Sequence, residues 1–159
     1  MDDSRDPFRR PADLSDLVVP GAALLRDDEV IVTSAGLRVQ VVGVDPHSYV
    51  TGRSRPAERA DLTADLRILL CHYPEVVRRL PPDRFHIVLA GHYHGGQICL
   101  PTPWGRVPLK EFHAPYLHGI YPTDAGVLHV SRGLGTSFVP LRFLARPEAT
   151  LLTLRPGGA

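Results

Sequence analysis

The chain has 159 residues, enough for one domain with a sizeable core, and its 43% hydrophobic and 22% charged residues are ordinary for a globular protein. Its 18 Lys+Arg against 17 Asp+Glu leave a net charge of +1, which excludes a surface dedicated to coating nucleic acid. No apolar run approaches the about 18–20 residues of a membrane span, and no apolar segment follows the polar N-terminus. We therefore expect a cytoplasmic protein without an export signal or a membrane-spanning segment.

The first half of the chain predicts few regular elements. Residues 1–20 contain prolines that disfavour helix in the residues before them, so they predict an extended lead-in to a domain over 21–159. Residues 37–44 alternate between apolar and polar side chains and then become apolar, which predicts a strand. Residues 45–56, rich in Pro, Ser, Gly and Arg, predict a loop. A short helix with Pro in its first turn is predicted over 56–60.

A strand–helix–strand unit is predicted next. Residues 68–71 and 86–90 are short apolar runs typical of strands buried on both faces, and a helical segment lies between them. Such a unit makes its two strands parallel neighbours through a right-handed crossover, so both strands end at the same edge of the sheet. His72 follows the first strand, and His92 and His94 follow the second.

The last third of the chain predicts antiparallel β structure. Short apolar runs at 98–100, 127–130 and 149–154 are separated by turns that contain Pro and Gly. Together with the parallel strands before them, these runs predict an α/β fold with a mixed sheet. Residues 131–136 contain a G-x-G pattern without a following helix, so they predict a sharp turn at the rim of the sheet rather than a phosphate-binding loop.

His72, His92 and His94 are candidate metal ligands. Open α/β sheets bind ligands outside the carboxyl ends of their strands, and converging imidazoles suit a divalent transition metal such as zinc, iron or manganese. His92 and His94 can face one pocket if Tyr93 turns away, and the glycines around them give the backbone the freedom that a tight approach needs. A surface position or a satisfied core position is the ordinary alternative, and it is kept for the other five histidines: His47, His86, His113, His118 and His129.

Four motifs in the same order resemble those of the calcineurin-like metallophosphoesterases. Residues 69–75 are similar to that family's late strand ending in His-x-Pro-[Asp/Glu]. Residues 89–97 are similar to its G-H-x-H motif, in the G-H-T-H-G-G-Q form with Tyr in place of Thr. Residues 42–47 and 130–152 resemble other stretches of its bacterial members. The likeness extends over about residues 37–155.

The resemblance implies a two-layer β-sandwich flanked by helices, with a dinuclear centre of manganese, iron or zinc at the sheet edges. In that family a metal-bridging hydroxide attacks the phosphorus of a phosphomonoester or phosphodiester, and the metals neutralise the developing charge. Carried over to this chain, His72 and His92 ligate one metal and His94 ligates the other. The resemblance leaves the particular phosphate ester open.

The chain lacks the family's D-x-H, G-D-x-x-D and G-N-H-[DE] motifs, which include the carboxylate that bridges the two metals. The resemblance therefore implies the C-terminal half of such an enzyme, with an N-terminal half or a second copy as partner at an exposed sheet edge. Three neutral imidazoles can hold one metal, whereas two neighbouring cations need negative charge between them. A non-catalytic metal-binding or interaction module that needs an N-terminal half is the alternative. A third hypothesis treats the histidines as a relic without bound metal.

Overall fold

The computed structural model describes residues 20–155, and a mixed six-stranded sheet lies at its centre. The strands in chain order are Asp28–Ser34 (β1), Leu37–Gly43 (β2), Leu66–Leu70 (β3), Ile87–Ala90 (β4), Cys99–Thr102 (β5), Gly105–Pro108 (β6), Gly119–Thr123 (β7) and Gly126–Val130 (β8). The large sheet has the order β1-β2-β3-β4-β8-β7, and β5 pairs with β6 in a separate hairpin. β2, β3, β4 and β8 run parallel, and β1 and β7 are antiparallel edges. The predicted mixed sheet is therefore confirmed.

The helices within residues 20–155 are few and short. They are Pro46–Val50 (α1), Pro56–Arg59 (α2) and two 3₁₀ helices, Pro74–Arg79 and His94–Gly96. α1 lies within the stretch predicted as a loop, and that prediction is wrong because Asp45 caps the helix by accepting hydrogen bonds from the backbone N–H groups of His47 and Ser48. Within residues 20–155, no helix is long and apolar enough to cross a membrane. The lead-in predicted over 1–20 falls, except for Pro20, outside the described residues.

The predicted strand–helix–strand unit is confirmed. β3 and β4 are parallel neighbours, with Leu69 opposite Val88, and the 3₁₀ helix Pro74–Arg79 connects them. Hydrogen bonding continues beyond the strand ends, since the Cys71 backbone N–H donates to the Leu89 carbonyl oxygen at 3.0 Å. The residues that follow β3 and β4 therefore leave the sheet at the same edge.

The core lies on one face of the large sheet. A row of four fully buried side chains crosses the parallel strands in register: Val42, Leu69, Val88 and Leu128. Tyr49 of α1 and Val76 of the first 3₁₀ helix belong to the same buried cluster. Burial of each large apolar side chain contributes about 1.5–3 kcal/mol to the free energy of unfolding. Packing on this face is therefore the main source of stability for the sheet.

The opposite face of the sheet is also apolar but is only partly covered. The neighbouring row consists of Val41, Ile68, Ile87 and Val127, and Val127 is 46% exposed. Val30 and Leu70 share this face because side chains alternate along a strand, and they are 36% and 39% exposed. The described residues supply no second layer on this side, so the two-layer sandwich stays a prediction.

Two parts of the strand prediction differ from the structure. β1 was not predicted, although its β-branched run is followed by Ala35 and Gly36, whose φ angles of +51° and +79° form a hairpin turn with two left-handed residues. The strand predicted over 149–154 is wrong. That segment forms no strand, and Leu151 is 92% exposed, because no neighbouring strand lies beside it to bury its side chains.

Candidate metal centre

Two of the three candidate histidines meet at the carboxyl ends of β3 and β4. His72 and His92 each lie two residues beyond the last residue of their strand. The Gly91 backbone N–H donates to the His72 carbonyl oxygen at 3.2 Å, which holds the two chain segments together. His72 Nε2 lies 3.1 Å from His92 Nδ1, and the ring centroids are 4.9 Å apart in an edge-on arrangement. We call these two side chains the histidine pair.

The loop that carries His92 and His94 has an unusual backbone. The φ angles of His92, His94 and Gln97 are +76°, +52° and +49°. Left-handed conformation costs a non-glycine residue about 1–3 kcal/mol, and it persists only where surrounding contacts impose it. Gly95 and Gly96, with φ of +63° and +85°, adopt the same region without that cost. The tight turn between the two histidines therefore depends on the glycines that follow them.

His94 does not join the histidine pair in this structure. Its Nδ1 lies 3.0 Å from the Gly135 carbonyl oxygen, and its Nε2 lies 3.2 Å from Ser137 Oγ. Both ring nitrogens therefore have partners in the loop that follows β8. A metal ligand role for His94 requires the release of one of these contacts, and the Ser137 hydroxyl is the easier one to release because it can rotate whereas the Gly135 carbonyl is fixed in the backbone.

Arg142 holds the loop against His94. Its guanidinium donates to the carbonyl oxygens of Arg132, Gly133 and Gly135 at 2.7, 3.1 and 2.6 Å, and to the His94 carbonyl oxygen at 3.0 Å. Desolvation lowers the pKa of Arg142, with the charge of Arg132 as a smaller cause. From sequence alone no role is assigned to Arg142, since its partner His94 lies 48 residues away.

Two carboxylates act on His92 from outside the histidine pair. The Tyr93 hydroxyl donates to the Glu75 carboxylate, and the Tyr93 ring meets the His92 ring edge-on, with the ring centroids 4.8 Å apart. Burial and this bond to a carboxylate raise the pKa of Tyr93. The charges of Glu75 and Glu111 favour the protonated form of His92, although burial has the larger effect and lowers its pKa. Negative charge near a pair of neutral imidazoles favours a cation at this position.

The pKa of His72 is lowered from its ordinary value of 6.5 to about 4. Desolvation is the main cause, and the neighbouring His92 and His94 add to it. Both members of the pair are therefore neutral at pH 7, and a neutral imidazole nitrogen with a free lone pair is the form that ligates metals.

We expect the stability of the protein to fall as the pH drops from about 6.5 towards about 4, the interval between the ordinary and the lowered pKa of His72. Between these two pH values His72 binds more protons in the unfolded chain than in the folded chain. The contribution of neutral His72 to the free energy of unfolding is therefore complete above about pH 6.5 and is lost as the pH falls towards 4. Urea unfolding at pH 7 and pH 4.5 measures the loss, which should be smaller in His72→Asn. An equal loss in wild type and variant contradicts the assignment to His72.

The histidine pair fits part of a metal centre. Zinc–imidazole bonds of about 2.0–2.1 Å place two ligand nitrogens of one ion roughly 3.3 Å apart. His72 Nε2 and His92 Nδ1, which are hydrogen-bonded to each other here, are 3.1 Å apart, so a cation that replaces the shared proton needs little movement of the rings. In the described part of the chain, no group of three or more His, Cys, Asp or Glu side chains is arranged to hold a metal. The pair thus offers two of the ligands that a complete centre needs. The metal-ligand roles of His72, His92 and His94 stay predictions.

Cys71, the residue before His72, is unsuited to ligate a metal. Both cysteines, Cys71 and Cys99, are free and buried. Burial raises the pKa of the Cys71 thiol to about 12, so the thiolate form that binds metals is scarce at neutral pH.

The other five histidines occupy ordinary positions. His86 Nδ1 accepts a hydrogen bond from the Arg67 backbone N–H at 2.9 Å, and His129 is buried in β8. Arg132 Nη2 lies 3.2 Å from the His118 ring. His47 and His113 are exposed.

Imidazoles at the carboxyl ends of parallel strands are typical of metal-dependent hydrolases built on an open α/β sheet. The chain is 41% identical over 88 residues to the metallophosphoesterase YkuE of Bacillus subtilis, which covers 55% of this chain and 30% of YkuE. It is 29% identical to the metallophosphoesterase YkoQ of the same organism over 82% of this chain and 48% of YkoQ. It is 27% identical to the phosphodiesterase YaeI of Escherichia coli over 84% of this chain and 48% of YaeI. Two of these relatives carry the name metallophosphoesterase, which supports the resemblance of this chain to the calcineurin-like metallophosphoesterase family.

The extent of these matches is limited. The chain spans about half or less of the length of the curated relatives that it matches. No protein-family model matches the chain, and no solved structure matches it significantly. The resemblance to the family therefore depends on the sequence relatives.

Proposed function

We propose that the chain forms the C-terminal portion of a metal-dependent phosphoesterase that hydrolyses a phosphomonoester or a phosphodiester. The relatives support this reaction class, since two carry the name metallophosphoesterase and one the name phosphodiesterase. The observation that carries the proposal is the separation of 3.1 Å between His72 Nε2 and His92 Nδ1, at the ends of two parallel strands. Neutral imidazoles this close, with carboxylate charge nearby, are suited to share one divalent cation.

Each polar group of the site has a separate role in this proposal. His72 and His92 would hold one divalent ion, manganese, iron or zinc, and His94 would hold a second one through Nε2, the nitrogen that now lies 3.2 Å from Ser137 Oγ. When bound, such ions stabilise the negative charge that develops on the phosphoryl oxygens and lower the pKa of water. Arg142 donates to the carbonyl oxygens of His94 and Gly135 and so joins the backbone of His94 to the loop after β8, which helps to hold the imidazole in place.

The partner that we propose is the remaining part of the domain, supplied by the same protein or by a separate chain. The partly exposed apolar face of the large sheet supports this, because it is wide enough to need a second layer. A cavity of about 410 Å³ lies at this face beside His72, and Leu70 and Leu89 line it. A layer packed here brings its residues next to the histidine pair, where carboxylates that balance the metal charge are needed. Self-association through the edge strand β1 or β7 is the alternative partner arrangement.

Metal-dependent hydrolysis of bis(4-nitrophenyl) phosphate tests the proposal. We expect hydrolysis when the chain is combined with the N-terminal portion of a relative such as YkuE in the presence of manganese, and we expect its loss on chelation. The combined protein should retain manganese or zinc, measured by elemental analysis after gel filtration. Hydrolysis that persists after chelation contradicts the metal-dependent mechanism.

The non-catalytic metal-binding or interaction module is the second candidate function. It is favoured by the same apolar face, which suits a stable docking role without chemistry. Metal retention by the chain without hydrolysis in any combination with a second half supports this module. Absence of both metal and hydrolysis supports the third hypothesis, in which the histidines are a relic.

A further inference from the structure

The histidine pair lies against the ring of Tyr73. The Tyr73 ring centroid is 5.0 Å from that of His72, with an angle of 81° between the ring planes. It is 4.6 Å from the ring centroid of His92, with an angle of 54°. Aromatic rings attract one another at centroid separations of about 4.5–7 Å, and edge-on contacts are among the favoured arrangements. One tyrosine ring therefore contacts both imidazoles of the pair.

Tyr73 is itself supported by two further side chains. Tyr49 stacks on Tyr73, with the ring centroids 4.9 Å apart and the ring planes within 15° of parallel. Tyr49 is buried, and the guanidinium carbon of Arg79 lies 4.4 Å from the centre of its ring, a cation–π contact. Arg79 also donates to the Tyr49 carbonyl oxygen at 3.3 Å. We call Arg79, Tyr49 and Tyr73 the aromatic stack, and it connects α1 and the 3₁₀ helix Pro74–Arg79 to the histidine pair.

The backbone of Tyr73 is fixed by the residues that follow it. Pro74 disfavours helical backbone in the residue before it, and Tyr73 is extended, with φ of −96° and ψ of 118°. Pro74 is buried. The Tyr73 carbonyl oxygen accepts a hydrogen bond from the Val76 backbone N–H at 3.2 Å. The His-Tyr-Pro sequence at 72–74 therefore gives the Tyr73 side chain a fixed starting direction just beyond β3.

Contacts between rings orient the histidine pair. A histidine that ligates a metal through one nitrogen is usually oriented by a hydrogen bond from the other nitrogen. Within residues 20–155, His72 Nδ1 and His92 Nε2 form no such bond to a protein group, and the hydrogen bond of these rings joins them to each other. A bond between two rings that both turn fixes neither plane against the rest of the protein. Tyr73 contacts both rings and is anchored in the core, so it supplies that reference.

We propose that Tyr73 is a positioning residue that sets the ring planes of His72 and His92 for a shared divalent cation. The inference rests on the proposed function for its cation and extends it to a residue that does not ligate the metal. The lone pair of an imidazole nitrogen lies in the ring plane, so a ring that has turned is a poor ligand even at the correct distance. Removal of the Tyr73 ring leaves both imidazoles free to turn about their side-chain bonds.

The orientation of the two imidazoles is measurable without metal. A neighbouring aromatic ring displaces the NMR signals of imidazole protons. In the full chain at pH 7, the ring protons of His72 and His92 should therefore differ in chemical shift from those of the exposed His113. We expect Tyr73→Leu to move the signals of the pair towards the His113 values. Tyr73→Phe should leave them close to wild type, because phenylalanine keeps the ring.

Metal binding provides the second readout. In the chain combined with the N-terminal portion of a relative such as YkuE, Tyr73→Leu should weaken manganese binding at least about tenfold, the loss typical of a residue that orients a metal ligand. Tyr73→Phe should bind manganese as wild type does. Cobalt(II) in place of manganese should show an altered visible absorption spectrum in Tyr73→Leu alone, because the spectrum depends on the arrangement of the ligands.

Tyr116 provides the matched control. Its ring packs partly buried against the core, lies 5.2 Å from the Tyr121 ring and has the guanidinium carbon of Arg78 5.7 Å from its centre. Tyr116→Leu thus removes a ring from similar surroundings, but one that packs on Tyr121 rather than on the histidine pair. It should lower the free energy of unfolding in urea without changing manganese affinity or the NMR signals of the pair.

Three results overturn the proposal. They are unchanged NMR signals of the histidine pair in Tyr73→Leu, an equal loss of manganese affinity in Tyr73→Phe and Tyr73→Leu, and an equal loss in Tyr116→Leu. Absence of metal from the wild-type combined protein contradicts the proposed function instead. In that case the NMR comparison, which needs neither metal nor hydrolysis, still decides whether Tyr73 orients the two rings.

Discussion

Replacement of Gly126 by alanine is expected to destabilise the protein by about 3–5 kcal/mol, because left-handed strain and steric overlap add together. Gly126 begins β8 with a φ of +132°. A Cβ atom there would overlap the carbonyl oxygen of Phe85 and lie 3.0 Å from its carbonyl carbon and 3.1 Å from the His86 carbonyl oxygen. These are backbone atoms, so no side-chain rotation relieves the overlap. Urea unfolding monitored by circular dichroism measures the loss.

Gly119→Ala is the matched control for this substitution. Gly119 begins β7, in the same hairpin, with a φ of +105°, and a Cβ atom there meets nothing within 4 Å. This variant has the conformational strain without the overlap, so its loss of stability should be clearly smaller. Similar losses in the two variants would show that the close approach between Gly126 and Phe85 has little energetic weight.

The large destabilisation that we expect for Gly126→Ala follows from the position of β8 in the sheet. It pairs with β4 on one side in parallel and with β7 on the other in antiparallel orientation, so its displacement breaks two ladders of hydrogen bonds. Leu128 of β8 is completely buried in the core row. A shift at Gly126 therefore spreads into the part of the sheet that positions β4 and His92.

The parallel part of the fold could be predicted from the sequence because its pattern is local. The apolar runs that form β3 and β4 are short, and the connection between them, over residues 71–86, is long enough for the helical crossover that parallel neighbours require. The edge strand β1 is harder to predict from the sequence. β1 has a turn through Ala35, a residue type that rarely adopts positive φ, so the usual Asn-Gly or Asp-Gly hairpin pattern is missing.

The same distinction between local and long-range contacts applies to the candidate site. The approach of His72 to His92 follows from parallel strand ends, and sequence spacing predicts it. The partners of His94 do not follow from spacing, since Gly135 and Ser137 lie more than 40 residues away. The strands β5 and β6 have four residues each, too few for a periodic pattern, so the sequence predicts this region only as antiparallel β structure.

Replacement of His92 by asparagine is expected to reduce metal-dependent hydrolysis at least about 100-fold when the complete domain is assembled, because the site loses a ligand that holds the charge-stabilising ion. Asparagine is the appropriate substitution, since His92 has a φ of +76° and asparagine tolerates this region better than alanine does. Manganese affinity, measured by titration calorimetry, should fall along with kcat/KM. His113→Asn makes the same change at an exposed histidine and should leave both quantities unchanged.

The double variant His72→Asn/His92→Asn distinguishes a shared ion from two independent effects. If both imidazoles hold one cation, removal of either one empties the position, so the double variant should lose little more affinity than each single variant. Independent roles predict losses that multiply. The distance of 3.1 Å between His72 Nε2 and His92 Nδ1 leaves no room for two separate cations, which is why we expect the non-additive result. Multiplying losses would contradict the assignment of the histidine pair to a single ion.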